Sequence, residues 1–186
     1  SADAVIAVVG DVVQLTGEMC STATLELLGG QNQLLERMVS VARETHKPLV
    51  VVLISSKPQV LPPCIIGTNG VIVDESATEG LGAFLWAANP GMQGGRAIAE
   101  IIFGMTDPSG RLPITFPRHA GQLPVFYNEI RGQHGDRYAD LTQDPAFAFG
   151  EGLSYTTFAY GEPCITNGAE FTAQDAVHVE IDLTNT

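Results

Sequence analysis

The sequence predicts an α/β fold, an open and mostly parallel sheet sandwiched by helices, followed by the opening of a second, all-β module. Three patterns carry that expectation. Ala4 to Val9 and Leu49 to Ile54 are short, unbroken apolar runs, the pattern of strands buried on both faces of a sheet. Between them, from Gln31 to His46, apolar residues recur at helical spacing, so strand, helix and strand make one parallel crossover unit. After Phe158 the pattern changes: Val177, Val179, Ile181 and Leu183 alternate with His178, Glu180 and Asp182, as in the half-exposed strand of an antiparallel sheet.

The first strand ends at Gly10 and opens into a loop. The covering helix carries Leu34, Leu35, Met38, Val39 and Ala42 on one side, with Gly29-Gly30 before it and Pro48 after it. The second strand, β-branched, is bounded by Pro48 and by Ser55-Ser56. Gly70 to Asp74 and Ala83 to Ala88 are further strand candidates, and the latter runs into Asn89-Pro90-Gly91. Gly94 to Phe103 reads as a helix with Ala97, Ile98, Ile101 and Ile102 together, stopped by a left-handed cap at Gly104. Asp107-Pro108-Ser109-Gly110 has the composition of a type I turn, after which Leu112 to Phe116 is expected to return as a strand. From Pro117 to Pro145 no period is sustained, which predicts a long surface loop.

With 45% hydrophobic and 16% charged residues, a chain of 186 can bury a real core. No apolar run reaches the roughly eighteen residues of a membrane span, and the first ten residues lack a basic leader and a cleavage site. Because the chain starts almost directly in a strand, it reads as a piece of a longer protein. Nine basic against twenty-one acidic residues give a net charge of −12, which repels phosphate backbones and anionic membrane surfaces, so neither nucleic acid nor membrane is an expected partner. A neutral sugar is indifferent to that charge. Cys20, Cys64 and Cys164 are odd in number and widely spaced, which argues against a disulfide framework and leans towards a reducing, cytoplasmic compartment. His46, His119, His134 and His178 have no ligand spacing, so no metal is expected, and nothing calls for a cofactor.

Two dense Gly/Pro stretches say more than composition. They are Asn89-Pro90-Gly91-Met92-Gln93-Gly94-Gly95-Arg96-Ala97-Ile98-Ala99-Glu100 with Phe103-Gly104, Asp107-Pro108-Ser109-Gly110-Arg111-Leu112-Pro113-Ile114-Thr115-Phe116-Pro117 and Gln122-Leu123-Pro124-Val125, and then the run from Phe149 to Phe158. Together they resemble the second domain of glycoside hydrolase family three β-glucosidases, over nearly the whole chain. The resemblance implies an α/β sandwich domain over 1–125, an interdomain linker over 126–160, and over 161–186 the start of a fibronectin type III-like β domain that is cut short. It also implies a retaining β-glucosidase whose nucleophilic Asp lies in an upstream barrel domain outside these residues, so that the fragment alone is inactive. The implied partners are a β-glucoside or oligosaccharide and that barrel, and apolar surface left where the barrel docks would favour a homo-oligomer of the isolated piece.

Open parallel sheets place their sites at the carboxyl ends of strands, and the first such loop, from Asp11 to Thr22, holds two carboxylates. In the resembling family the general acid/base Glu sits in this loop, ahead of an apolar run and a Gln, positions that Leu25, Leu27 and Gln31 fill here. Glu18 is therefore the candidate acid/base and Asp11 its rival. The chemistry needs such a group because a glycosidic oxygen leaves poorly unless protonated, and in retaining enzymes a second carboxylate attacks from about 5 to 5.5 Å away. The bland reading of Glu18 is a solvated loop carboxylate. Ser21 and Thr22 stand where family members commonly carry Asp-Arg, a departure that bears on the sugar-facing details of the loop.

Other polar clusters have plainer roles beside functional ones. His134, Arg137 and Tyr138 are substrate-adjacent candidates, since such side chains hydrogen-bond sugar hydroxyls or stack on a ring, while interdomain ion pairing by Asp136 and Arg137 explains the same residues. Asn89 to Arg96 has a phosphate-loop look but neither nucleotide fingerprint, so its glycines are read as packing. Ser154 lacks the closing Gly of a nucleophile elbow. Two rival functions stay open: the same chemistry on another sugar, as in a β-xylosidase, N-acetylglucosaminidase or glucuronidase, and a non-catalytic scaffold or carbohydrate-contacting module.

Overall fold

The computed structural model describes residues 2–67, 78–128 and 138–186. Three parallel strands, β1 (Val5–Gly10), β2 (Leu49–Ile54) and β3 (Leu81–Trp86), form a sheet in the order β1-β2-β3. β2 is central, and Leu49, Val51, Val52 and Leu53 are all fully buried, which is what its unbroken apolar run requires. Val5 to Gly10 pair in register with Leu49 to Ile54. The expected strand at Gly70 to Asp74 lies outside the described residues.

Helix α1 (Gln31–Thr45) connects β1 to β2 and packs across all three strands. Leu35, Val39 and Ala42 recur on one face and are buried against Ala7, Val9, Leu49, Val51 and Leu53. The helix stops where His46 enters the left-handed region at φ 55° and the Lys47 N–H reaches back to the Ala42 carbonyl, with Pro48 unable to continue. A short helix, α2 (Pro63–Ile66), contacts α1 and β3 on the same side. Because side chains alternate along a strand, Ile6 and Val8 point to the opposite face, where both are exposed.

Aromatic rings close the core beside β3. Phe116, fully buried, meets Trp86 edge-on at 5.1 Å and Phe147 edge-on at 5.9 Å, and Phe147 stacks on Phe84 at 5.6 Å. Residues around Phe147 therefore return from the loop region and pack on the sheet. This return replaces the strand expected from Leu112 to Phe116: only Phe116 pairs, antiparallel with Phe147, while Leu112 exchanges backbone bonds with Gly150 and Glu151. Pro113 and Pro117 lack the N–H donors that a ladder needs.

The third helix, α3 (Gly94–Ile102), ends as expected before Gly104, which adopts φ +71°. The turn expected at Asp107 to Gly110 does not form. The Asp107 carboxylate instead accepts from the Ser154 hydroxyl at 2.6 Å and the Tyr155 N–H at 2.7 Å, distant partners that outcompete its own turn. The terminal module begins with two antiparallel pairs, β4 (Phe158–Tyr160) with β7 (Leu183–Asn185) and β5 (Cys164–Ile165) with β6 (Val179–Glu180). The alternating run from Val177 is thus divided between two partners rather than forming one strand.

Candidate active site

The carboxyl ends of the strands lie along one edge of the sheet. Since α1 runs antiparallel to the strands, its first residue, Gln31, returns to that edge beside the end of β1. The Gln31 amide accepts from the Gly10 N–H at 2.8 Å and donates to the Gly10 and Leu28 carbonyls at 3.0 Å each. One side chain thereby closes the base of the loop spanning 11–30. Gly10 is needed there: its φ is +146°, and a Cβ would sit 1.8 Å from the Ile54 carbonyl oxygen.

Past this base, a single turn of 3-10 helix (Val13–Leu15) leads to Gly17 at φ +101°. The Cys20 N–H then bonds the Gly17 carbonyl at 3.3 Å, which places Glu18 and Met19 at the two central positions of a tight turn. Met19 has φ +62°, a conformation glycine adopts without cost, and its side chain is 97% exposed. Glu18 is exposed at the tip. Among the described residues its carboxylate has no hydrogen-bond or ion-pair partner.

The loop's other carboxylates are occupied differently. Asp11, half-buried at the base, has its Oδ2 shielded from solvent without a hydrogen-bond partner among the described residues, and its N–H bonds the Ile54 carbonyl. The Thr24 hydroxyl, followed by Glu26's own backbone N–H, holds the Glu26 carboxyl below the usual carboxylate range. Glu26 has its Oε2 shielded from solvent without a hydrogen-bond partner among the described residues. It lies where the loop pairs with Val60, whose N–H bonds the Leu25 carbonyl at 2.9 Å.

A second strand end braces the first. Trp86 at the end of β3 donates its indole N–H to the Ser55 hydroxyl at 3.1 Å, and that hydroxyl donates to the Lys57 carbonyl at 2.8 Å. Lys57, half-buried, then reaches across to the Thr22 hydroxyl at 3.1 Å. Sequence reasoning missed Ser55, Lys57 and Trp86. Their signal was position alone, since Ser55 and Lys57 lie just beyond the carboxyl end of β2, which neighbours β1, and Trp86 ends β3, which neighbours β2.

Of the substrate-adjacent candidates, Tyr138 donates its hydroxyl to the Gly121 carbonyl at 2.7 Å, beside the short 3-10 turn Ala120–Gln122. His134 and Arg137 lie outside the described residues. In the glycine-rich stretch before α3, a Cβ on Gly94 would sit 2.5 Å from the Pro90 ring, so this glycine serves close packing.

A family model described as the glycosyl hydrolase family 3 C-terminal domain matches residues 1–155. A β-xylosidase of Formosa agariphila is 37% identical over the whole chain, which covers 24% of that protein. A periplasmic β-glucosidase of Salmonella typhimurium is 34% identical, again over the whole chain and 23% of its own length. Among solved structures, a β-glucosidase involved in saponin metabolism from intestinal bacteria shares 70% identity at a TM-score of 0.86, with 99% of this chain matched to 25% of that one. The chain thus spans about a quarter of the length of the relatives it matches. They are hydrolases of glycosides, and on the match over residues 1–155 the chain belongs to the glycosyl hydrolase family 3 C-terminal domain family.

Proposed function

We propose that this domain supplies the general acid/base, Glu18, to a retaining β-glucosidase that releases terminal, non-reducing β-linked glucose. The nucleophilic carboxylate belongs to a barrel domain of the same polypeptide, and the active site lies between the two. On this reading 1–125 is the α/β sandwich domain, 126–160 the interdomain linker and 161–186 the opening of a fibronectin type III-like domain. In the first step the barrel carboxylate attacks the anomeric carbon while the Glu18 carboxylic acid gives its proton to the departing glycosidic oxygen. In the second, the Glu18 carboxylate takes a proton from water, whose oxygen displaces the enzyme carboxylate, so the configuration is retained.

The observation that carries this reading is the contrast among the three carboxylates of the loop after β1. Glu26 and Asp11 are each half-buried with one carboxylate oxygen shielded from solvent, whereas Glu18 stands exposed at the tip of a turn whose foot is fixed by Gln31. A group that exchanges a proton with substrate needs that combination of access and a fixed base. The 70% identical relative, being a β-glucosidase, favours glucose as the sugar, and its part in saponin metabolism puts saponin glucosides on the panel of substrates to try. The β-xylosidase relative keeps xylosides on the same panel.

The test is Glu18→Gln in the full-length enzyme with aryl β-glucosides. Loss of a true acid/base costs about 10² to 10⁴ in rate, and a loss in that range is expected. A rate within a few-fold of the parent would favour a scaffold role for this domain, and substantial residual activity that disappears in Asp11→Asn would transfer the role to Asp11. Turnover by these 186 residues alone would refute the shared site.

A further inference from the structure

We infer that Lys57 is a positioning residue for the acid/base turn, acting through Thr22; this rests on the assignment of Glu18 above. The turn that carries Glu18 is not self-sufficient. Met19 holds a backbone conformation that costs a non-glycine residue energy, and the peptide on its far side is free to relax unless something beyond the turn restrains it. Beyond the bond from the Asp11 N–H to the Ile54 carbonyl at the loop's start, three restraints from outside are seen among the described residues. Gln31 holds its foot at Gly10, and Val60 meets it at Leu25. The third, from Lys57 to Thr22, is the nearest in sequence to Glu18, four residues beyond it.

Lys57 suits this role because of what holds its own backbone. A lysine ammonium is ordinarily a hydrated point charge on a flexible stem, and ordering it costs side-chain entropy. Here the residue is half-buried and its carbonyl is gripped by the Ser55 hydroxyl, Ser55 being 2% exposed and itself held by the Trp86 indole. No carboxylate among the described residues lies within 4.0 Å to claim the charge as an ion pair, so the ammonium is spent on a neutral hydroxyl. Thr22 passes the restraint on by donating to the Thr24 carbonyl at 2.6 Å, which folds the outgoing limb of the loop. The path from Trp86 through Ser55, Lys57 and Thr22 thus fixes the limb opposite the foot held by Gln31, with Glu18 between them.

The test uses the full-length enzyme and a series of β-glucosides with graded leaving groups, from dinitrophenyl to simple alkyl. Proton donation matters little for a leaving group that departs as a stable anion and much for one that does not. With Lys57→Met the expected loss in kcat/KM, which reports the step that expels the leaving group, is about ten- to a hundredfold on alkyl glucosides, as for misplacement of a catalytic group by about an ångström, with kcat/KM for dinitrophenyl glucoside nearly unaffected. Thr22→Val should reproduce the pattern, the double variant should be no worse than either single one, and Lys57→Arg and Thr22→Ser should recover most of the rate. If Lys57→Met fails to fold, Thr22→Val, nearly isosteric, carries the test. Equal loss of kcat/KM on every substrate, or no loss, would overturn the inference. Glu18→Ala in the same series separates the two levels: near-parent rates there remove the acid/base assignment itself, whereas a steep leaving-group dependence with unaltered Lys57→Met and Thr22→Val removes only the positioning role.

Discussion

Gly10 shows how one missing side chain permits the candidate site. β1 and β2 run side by side to their ends, and the Asp11 N–H bonds Ile54, so the chain leaving β1 passes directly against a neighbouring carbonyl. Any Cβ at Gly10 would occupy that oxygen's space, at a φ of +146° that L side chains avoid. Gly10→Ala is therefore expected to cost about 3 kcal/mol of stability, in the upper part of the range for single substitutions, seen as a lower denaturant midpoint. Because Gln31 binds both polar groups of this residue, the displaced backbone would also loosen the foot of the loop that carries Glu18. An unchanged midpoint would mean that β1 ends differently from this geometry. The glycine and the glutamine were both evident in the sequence. That the two are bonded to each other was not, because they are 21 positions apart and meet only when α1 folds back.

At the scale of elements, α3 and the chain entering β4 are joined by a polar clamp. Asp107 binds the Ser154 hydroxyl and the Tyr155 N–H, and the Tyr155 hydroxyl donates to the Ile101 carbonyl at 2.6 Å. The Ser154 hydroxyl first, and then the Tyr155 N–H, hold the Asp107 carboxyl below its ordinary range. Since its pKa is lower folded than unfolded, its stabilisation is fully present above the unfolded value, near pH 4, and is lost as pH falls through the folded one. Hydrogen-exchange protection at the Tyr155 amide should therefore hold from neutral pH down to the carboxylate range and then fall. In Asp107→Ala, which has no acceptor, the protection should be low at neutral pH and lack that acid transition. A retained transition would assign it to another group. Sequence composition at Asp107-Pro108-Ser109-Gly110 suggested a local turn, and it misled because the competing acceptor sites of the carboxylate are filled from 47 and 48 residues away.

Over the whole molecule, apolar surface is distributed unevenly. The face of the sheet under α1 is closed, whereas Ile6 and Val8 on its other face are exposed, as are Val177, Val179, Ile181 and Leu183 in the terminal module. Surfaces of this kind belong to interfaces more often than to water. The 186-residue polypeptide in isolation is accordingly expected to self-associate in sedimentation at micromolar concentration, and to show no turnover of an aryl β-glucoside. A clean monomer would contradict the first expectation. The net charge of −12 opposes association at low ionic strength, so added salt should strengthen it.

By itself the sequence determined the kinds of element and their order around α1. Apolar runs, helical spacing and Gly/Pro punctuation are local properties, read within one turn or one strand, and they placed β1, α1, β2 and α3 to within a residue or two. The motifs from Asn89 to Phe158 likewise carried the family. Only the tertiary structure decided which polar groups find one another: Lys57 with Thr22, Gln31 with the Gly10 backbone, and Asp107 with Ser154. The physical reason is that a hydroxyl, amide or carboxylate accepts any suitably placed partner, so its choice depends on which strand ends and loops the packed core brings within about 3 Å.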